Sequence, residues 1–176
     1  MLPLLTRLVF FAVFTACLSL SAYADTEGNA LVGQPMPICK TVPLAHSAAL
    51  DTVTTRGYVL YVDFWASWCK PCAKAFPFLN ALQNDYGQRK FLVIGISVDE
   101  KNSDADNFIR VHRAAFLTAI DTTGACPGAF AVPGMPASFL VDRQGIVRQI
   151  HTGFRDSDIA QRRAEIEQLL AMPDKP

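Results

Sequence analysis

In "DFWASWCKPC", residues 63–72, Cys69 and Cys72 stand three residues apart, with Trp65 and Trp68 before them and Asp63 at the head of the stretch. A three-residue step on a helix puts two side chains on one face, close enough for their sulfurs to bond. Pro71 between them suits a first turn, because the N–H it lacks had no partner there. Cys69 then falls at the helix N-terminus, where unpaired N–H groups and the macrodipole favour a thiolate. A drop in thiol pKa from about 8.5 to about 7 would raise the nucleophilic fraction near neutral pH from a few per cent to about half. Lys70 pushes the same way, while Cys72, one turn deeper, is expected to keep its proton longer and to resolve what Cys69 attacks.

Two other uses of the pair weigh less. Half of a zinc site needs a second close ligand pair, whereas the remaining candidates, Cys39, His46, His112, Cys126 and His151, are scattered. Isolated histidines of this kind are expected at the surface or the core edge rather than on a metal. A purely structural disulfide across so short a loop removes little chain entropy. The expectation is a working redox pair with no metal and no separate cofactor. Asp63 sharpens it: an acid in a strand buried on both faces is costly unless paired or shifted in pKa, and the sequence shows no obvious cation beside it. Such an acid could accept the proton of Cys72, although a strand-end position reaching water stays open.

The elements that position these residues begin after a leader. "MLPLLTRLVFFAVFTACLSLSAYADTEG" carries Arg7 as its only charge before Asp25, an apolar run from Leu8 to Leu20, and the small-residue pattern Ala22-Tyr23-Ala24. That reads as a signal peptide over residues 1–24, cut after Ala24, because about thirteen apolar residues fall short of the ~20 that span a bilayer. "FTAC", residues 14–17, offers the alternative of a lipoprotein anchored through Cys17, with Phe14 standing where leucine is usual. Cleavage would leave roughly 150 residues, enough for one domain, and four of the five cysteines, an even number suited to pairing in an exported protein. Sixteen basic and sixteen acidic side chains balance, which gives no electrostatic footprint for nucleic acid. Nothing after the leader reads as a membrane segment.

Residues 25–37 are a polar, proline-bearing lead-in, followed by a domain over 38–176. "YVLYVDFW" (58–65) and "KFLVIGISVD" (90–99) read as strands buried on both faces, hence a parallel pair. Between them Cys72, Phe76, Leu79, Leu82 and Tyr86 recur at helical spacing, with Gly87 placed to end the helix. "SDADNFIRVHRAA" suggests a second helix with Ser103 as N-cap and Asp106 completing a capping box. After a Gly- and Pro-rich loop, "ASFLVD" and "IVRQIH" flank Arg143-Gln144-Gly145 as a hairpin. The closing "DSDIAQRRAEIEQLLAM" stripes Ile159, Ile166, Leu169 and Leu170 along one helix face.

This order, with "VDFWASWCKPC" and "GMPASFLVD", resembles the thioredoxin superfamily, in particular exported TlpA/ResA-type thiol-disulfide oxidoreductases, over residues 36–171. The resemblance implies an α/β three-layer sandwich with a central mixed sheet flanked by helices. It implies that Cys69 attacks, Cys72 resolves, and Pro136 follows a cis bond that lets Met135 offer its backbone to an extended substrate. It places Trp68 at the lip of the site and Trp65 in the core. It suggests a periplasmic reductant of exported proteins, apocytochrome c or another client, kept reduced by a membrane thiol-electron transporter of the DsbD type. One departure matters: many such proteins carry Glu three residues after the second cysteine and Asn in the strand, where this chain has Ala75 and Asp63. A thiol oxidant and a copper-delivery module of the same fold are the alternatives, although Sco-type proteins space their cysteines more widely. A peroxidase is disfavoured because the threonine-cysteine motif of peroxiredoxins is absent. Cys39 and Cys126, outside the shared motif, either form a second disulfide or remain separate thiols.

Overall fold

Apolar side chains, most of them β-branched or aromatic, run from Val59 to Trp65 with one polar interruption, Asp63, and all seven residues are buried. A computed structural model of the protein describes residues 30–44 and 55–173, so the proposed leader, Cys17 and His46 lie outside the described residues. In chain order the elements are β1 (Val42–Pro43), β2 (Val59–Trp65), α1 (Lys70–Tyr86), β3 (Phe91–Ser97), α2 (Asn102–Val111), β4 (Leu117–Ile120), α3 (Ala125–Ala129), β5 (Ala137–Val141), β6 (Val147–Thr152) and α4 (Ile159–Ala171). Three-residue 3-10 turns precede β3 and α4.

The strands form one mixed sheet in the order β1-β4-β3-β2-β5-β6. β2 pairs parallel with β3 and antiparallel with β5, which is the expected arrangement of a parallel pair beside a hairpin. Alternation along β2 splits the core into two layers. Val59, Tyr61 and Trp65 face α1, α2 and α4 and meet Cys72, Phe76, Leu79, Leu82, Phe108 and Ile166. Leu60, Val62 and Phe64 face the other way, onto Phe130, Phe139, Cys126 and the lead-in residues Leu31 and Met36. Each fully buried large side chain is worth about 1.5–3 kcal/mol. The three-layer sandwich is thus held from both faces of its central strand.

Several local expectations need correction. α2 starts before Ser103, so no capping box forms: Lys101 is the N-cap and gives no side-chain bond. The helix stops at Val111, and Arg113 takes a left-handed φ of 51°. Gly87 stays right-handed at the end of α1, and the reversal falls instead on Lys90, with φ 55°. β1, β4 and α3 were not anticipated, and α3 occupies the segment that reads as a loop. Gly145 does take the positive φ, 81°, that the hairpin turn requires. The described part of the lead-in, residues 30–37, is not helical, and it docks on the hairpin through Gly33 N–H to Val147 O (2.8 Å) and Met36 N–H to Gly145 O (2.8 Å).

Candidate active site

The chain leaves β2 at Trp65 and turns through Ala66–Trp68 before α1 begins. Asp99, just beyond the parallel neighbour β3, fixes that turn by accepting from Ser67 N–H (2.9 Å), Ser67 Oγ (2.8 Å) and Ser97 Oγ (2.8 Å). Cys69 is the N-cap of α1, and its Sγ accepts from the Cys72 N–H at 3.2 Å. The two cysteines are joined as a disulfide with Cα atoms 5.3 Å apart, so the structure is that of the oxidised state. Cys72 is fully enclosed, while Cys69 keeps 5% of its surface exposed. An incoming nucleophile therefore meets Cys69 first. No acid stands in the first turn of α1 to oppose a thiolate there, and Lys70 is its first residue.

Around the pair, Trp68 projects into solvent with 67% of its surface exposed, whereas Trp65 is enclosed and stacks on Phe108 with ring centroids 5.0 Å apart. Met135 is half-buried and packs against the cluster that holds both cysteines. The Met135–Pro136 bond is cis, and Pro136 is tied to the end of β6 by Gly153 N–H to its carbonyl (2.7 Å).

Asp63 sits on the α1 face of β2, between Tyr61 and Trp65, and is 1% exposed, so it does not reach water. Its Oδ1 accepts from Ser138 Oγ at 2.6 Å, while among the described residues Oδ2 has no hydrogen-bond partner. Burial pushes its pKa up to about 7, against the opposing pull of the Ser138 hydroxyl and the Arg162 guanidinium. Contrary to the sequence expectation, a cation does stand near it. Arg162 of α4 is 3% exposed and donates to Tyr61 OH (3.0 Å) and to Gly153 O (2.7 Å). Tyr61 is itself pushed up to about 12 by burial. A carboxyl balanced near neutrality on the face of β2 whose core layer holds Cys72 is suited to taking and returning a proton.

Ser138, Tyr61, Arg162 and Asp99 are site residues that the sequence reading missed. Arg162 had a detectable signal, since it lies three residues after Ile159 and four before Ile166, on the apolar stripe of α4. His151 pairs with Glu165 at 2.7 Å, and burial and Arg162 together hold its pKa below the ordinary value. His112 caps α2 and lies against Phe108 and Phe76. Ala75 is 1% exposed and packed in the core. The pairing left open at Cys39 and Cys126 is present: they form a disulfide across 87 residues of sequence.

The Redoxin family model matches residues 31–170. A thiol-disulfide oxidoreductase ResA from Bacillus thuringiensis (strain Al Hakam) is 28% identical over 152 residues, 84% of this chain and 87% of that protein. The ResA protein of Geobacillus kaustophilus is 28% identical over 166 residues, covering 92% and 94% of the two chains. Among solved structures, a Chlorobium tepidum protein described as a thiol:disulfide interchange protein DsbE superposes with a TM-score of 0.75 at 36% identity, over 80% of this chain and 98% of that one. A Bacteroides thetaiotaomicron protein shares the fold with a TM-score of 0.72 at 23% identity.

Proposed function

The chain belongs to the redoxin family of the thioredoxin superfamily, and from that premise we propose that it is an exported reductant of protein disulfides, with apocytochrome c or another exported protein as client. That it is a thiol-disulfide oxidoreductase of the TlpA/ResA type follows from its relatives and its fold. The observation that carries the reading is Cys69 at the open start of α1, bonded to an enclosed Cys72.

In the reduced protein the Cys69 thiolate attacks a client disulfide. One client sulfur leaves with the electron pair, and a Cys69–client disulfide forms. Cys72 then gives its proton to Asp63 and attacks Cys69 Sγ, which regenerates the Cys69–Cys72 bond and releases the second client sulfur as a thiolate. The client gains two electrons and the dithiol loses them. Trp68 and the Met135 backbone beside Pro136 receive the client chain, the latter by strand-like hydrogen bonds. A membrane thiol-electron transporter of the DsbD type returns the enzyme to its dithiol form. The leader reading, residues 1–24, supports a periplasmic location.

The test is Cys72→Ser in growing cells. It is expected to accumulate Cys69-linked mixed disulfides with exported proteins, identifiable by mass spectrometry, while the wild-type protein is recovered with Cys69 and Cys72 reduced. Recovery of the wild-type pair fully oxidised would overturn the reductant direction in favour of an oxidant.

A further inference from the structure

The turn that presents Trp68 and Cys69 has little packing behind it. Ala66 is buried at its start, but Ser67 lines an open cleft of about 320 Å³ shared with Asp104, Phe108, Val111 and His112, and Trp68 stands in solvent. The hold on this turn is polar and comes from the end of β3. Val98 N–H donates to Trp65 O at 2.9 Å, and the Asp99 carboxylate takes Ser67 twice, its N–H on Oδ2 (2.9 Å) and its hydroxyl on Oδ1 (2.8 Å). Ser97 Oγ donates to Oδ2 at 2.8 Å and accepts from Asp99 N–H at 3.1 Å. Ser97 is itself fully buried, with its carbonyl bonded by Asp121 N–H at 2.9 Å, so the carboxylate is braced on a central strand of the sheet.

We propose that Asp99 is a positioning residue for the thiol chemistry: by holding Ser67 it keeps Cys69 at the N-cap of α1, where the sulfur takes an amide bond that favours the thiolate. The inference rests on the reading of Cys69 as the attacking sulfur and adds to it a residue buried beneath the turn. The link from anchor to nucleophile is short. Ser67 is two residues before Cys69, and Cys69 N–H donates back to Ala66 O at 3.1 Å, so the anchored turn closes at the nucleophile itself. One step further, Cys69 Sγ accepts from Cys72 N–H at 3.2 Å. A turn released from Asp99 would let the sulfur drift from that amide, and the thiolate would lose a donor.

Position and charge pull in opposite directions here, which makes the role separable. A carboxylate near a thiolate opposes its ionisation by charge alone, whereas an anchor that keeps the N-cap in place assists it. Of the donors that reach Asp99 from Ser67 and Ser97, only the Ser67 N–H cannot turn, because either hydroxyl can rotate and accept instead. Asparagine with its oxygen in the place of Oδ2 therefore keeps the N–H bond and loses the charge, while alanine loses both. The other charged and titratable groups on the surrounding elements are Lys70 of α1, Asp63 of β2, Arg162 of α4, and Asp104 and His112 across the cleft. They are the same in both variants.

The test is the pH dependence of iodoacetamide alkylation of the fully reduced protein, with the modified cysteine identified by mass spectrometry. Asp99→Ala is expected to raise the Cys69 midpoint by about half a pH unit, which is about threefold slower alkylation below the midpoint. Asp99→Asn is expected to bring it back to the wild-type value or lower. Ser67→Ala, at a turn facing the cleft, removes one donor to the anchor and is expected to slow alkylation by about twofold, with Ser67→Thr restoring the rate. A wild-type midpoint in Asp99→Ala would leave Asp99 a structural brace only and overturn the proposal. A midpoint lowered equally in the alanine and asparagine variants would mean that Asp99 acts by charge, and overturns it as well. Should Asp99→Ala fail to fold, the Ser67 pair decides, and a rate unmoved in Ser67→Ala overturns the anchor. Alkylation of Cys72 ahead of Cys69 in the wild-type protein would contradict instead the reading of Cys69 as the attacking sulfur.

Discussion

Each of the two disulfides has one cysteine at a helix start, Cys69 at α1 and Cys126 at α3, yet the surroundings give them opposite characters. Cys69 and Cys72 are separated by three positions in sequence and Cys39 and Cys126 by 87. In the chain-entropy account the short loop restrains the unfolded chain by about 2 kcal/mol and the long one by about 4–5 kcal/mol. Electrostatics divides them further. The first turn of α1 carries no acid, and its N-cap sulfur takes a backbone N–H. Cys126 lies in the first turn of α3, and its N–H donates to the buried carboxylate of Asp121 at 2.6 Å. Burial pushes the Asp121 carboxyl up, but bonds from Thr123 and from the Cys126, Thr123 and Gly124 amides outweigh it and hold it below the ordinary range. One helix start is open to a thiolate and the other is already occupied by an anion. Position at a helix N-terminus does not make a cysteine reactive unless the terminus is vacant.

The largest expected effect separates the pairs by activity. Cys69→Ser should reduce the rate of insulin-disulfide reduction by roughly a thousandfold or more, since the nucleophile is gone. Replacing Cys39 and Cys126 together by serine should leave that rate within about twofold. Comparable losses from both would erase the distinction. Stability should rank them the other way: urea unfolding of the oxidised protein is expected to lose about 4–5 kcal/mol without Cys39–Cys126 and about 2 kcal/mol without Cys69–Cys72.

Asp63 gives the active region a pH signature opposite in sign to that of Asp121 at the staple, whose lowered pKa makes its contribution fall away toward acid. The folded Asp63 pKa, about 7, lies above the ordinary 3.8, so between these values the native state holds a proton that the unfolded chain has lost. This contribution is fully present below about pH 4 and is lost as pH rises through about 7. Asp63→Asn is therefore expected to raise stability by a few kcal/mol at neutral pH, with little change at pH ~4. A variant less stable than wild type at neutral pH would contradict the buried, raised carboxyl. The smallest effect is expected from Lys70→Glu, which puts an anion at the start of α1 as Asp121 does, from outside the helix, at the start of α3. The alkylation rate of reduced Cys69 at neutral pH should fall by about two- to threefold, while α1 itself gains a few tenths of a kcal/mol.

The parts legible in the sequence are those where one physical signal runs long enough to read. β2 and β3 are continuous apolar runs, α1 repeats its apolar residues over four turns, and the β5–β6 hairpin carries Gly145 at its turn. β4 is four residues long with Leu117 half-exposed, and β1 is two, so neither offers a periodicity. α3 contains Pro127 and Gly128, which read locally as a loop. Its helix is held by Asp121, five residues before Cys126, and by the Cys39 bond, which comes from 87 positions away in the sequence. At the site, Cys69, Cys72 and Pro136 belong to motifs that sequence alone carries. The cation facing Asp63 did not, because it arrives from α4, ninety-nine positions along the chain. An arginine in a helix reads as solvent-facing by type, and only its place on the Ile159–Ile166 stripe marked it as inward.

The most direct test of the two-disulfide account is a redox titration of the native protein in which each pair is followed separately by differential alkylation and mass spectrometry. The account predicts that Cys69–Cys72 is reduced first, at a potential near that of thioredoxin, about −270 mV, while Cys39–Cys126 stays oxidised to below about −300 mV. Reduction of Cys39–Cys126 first, or of both pairs together, would contradict it.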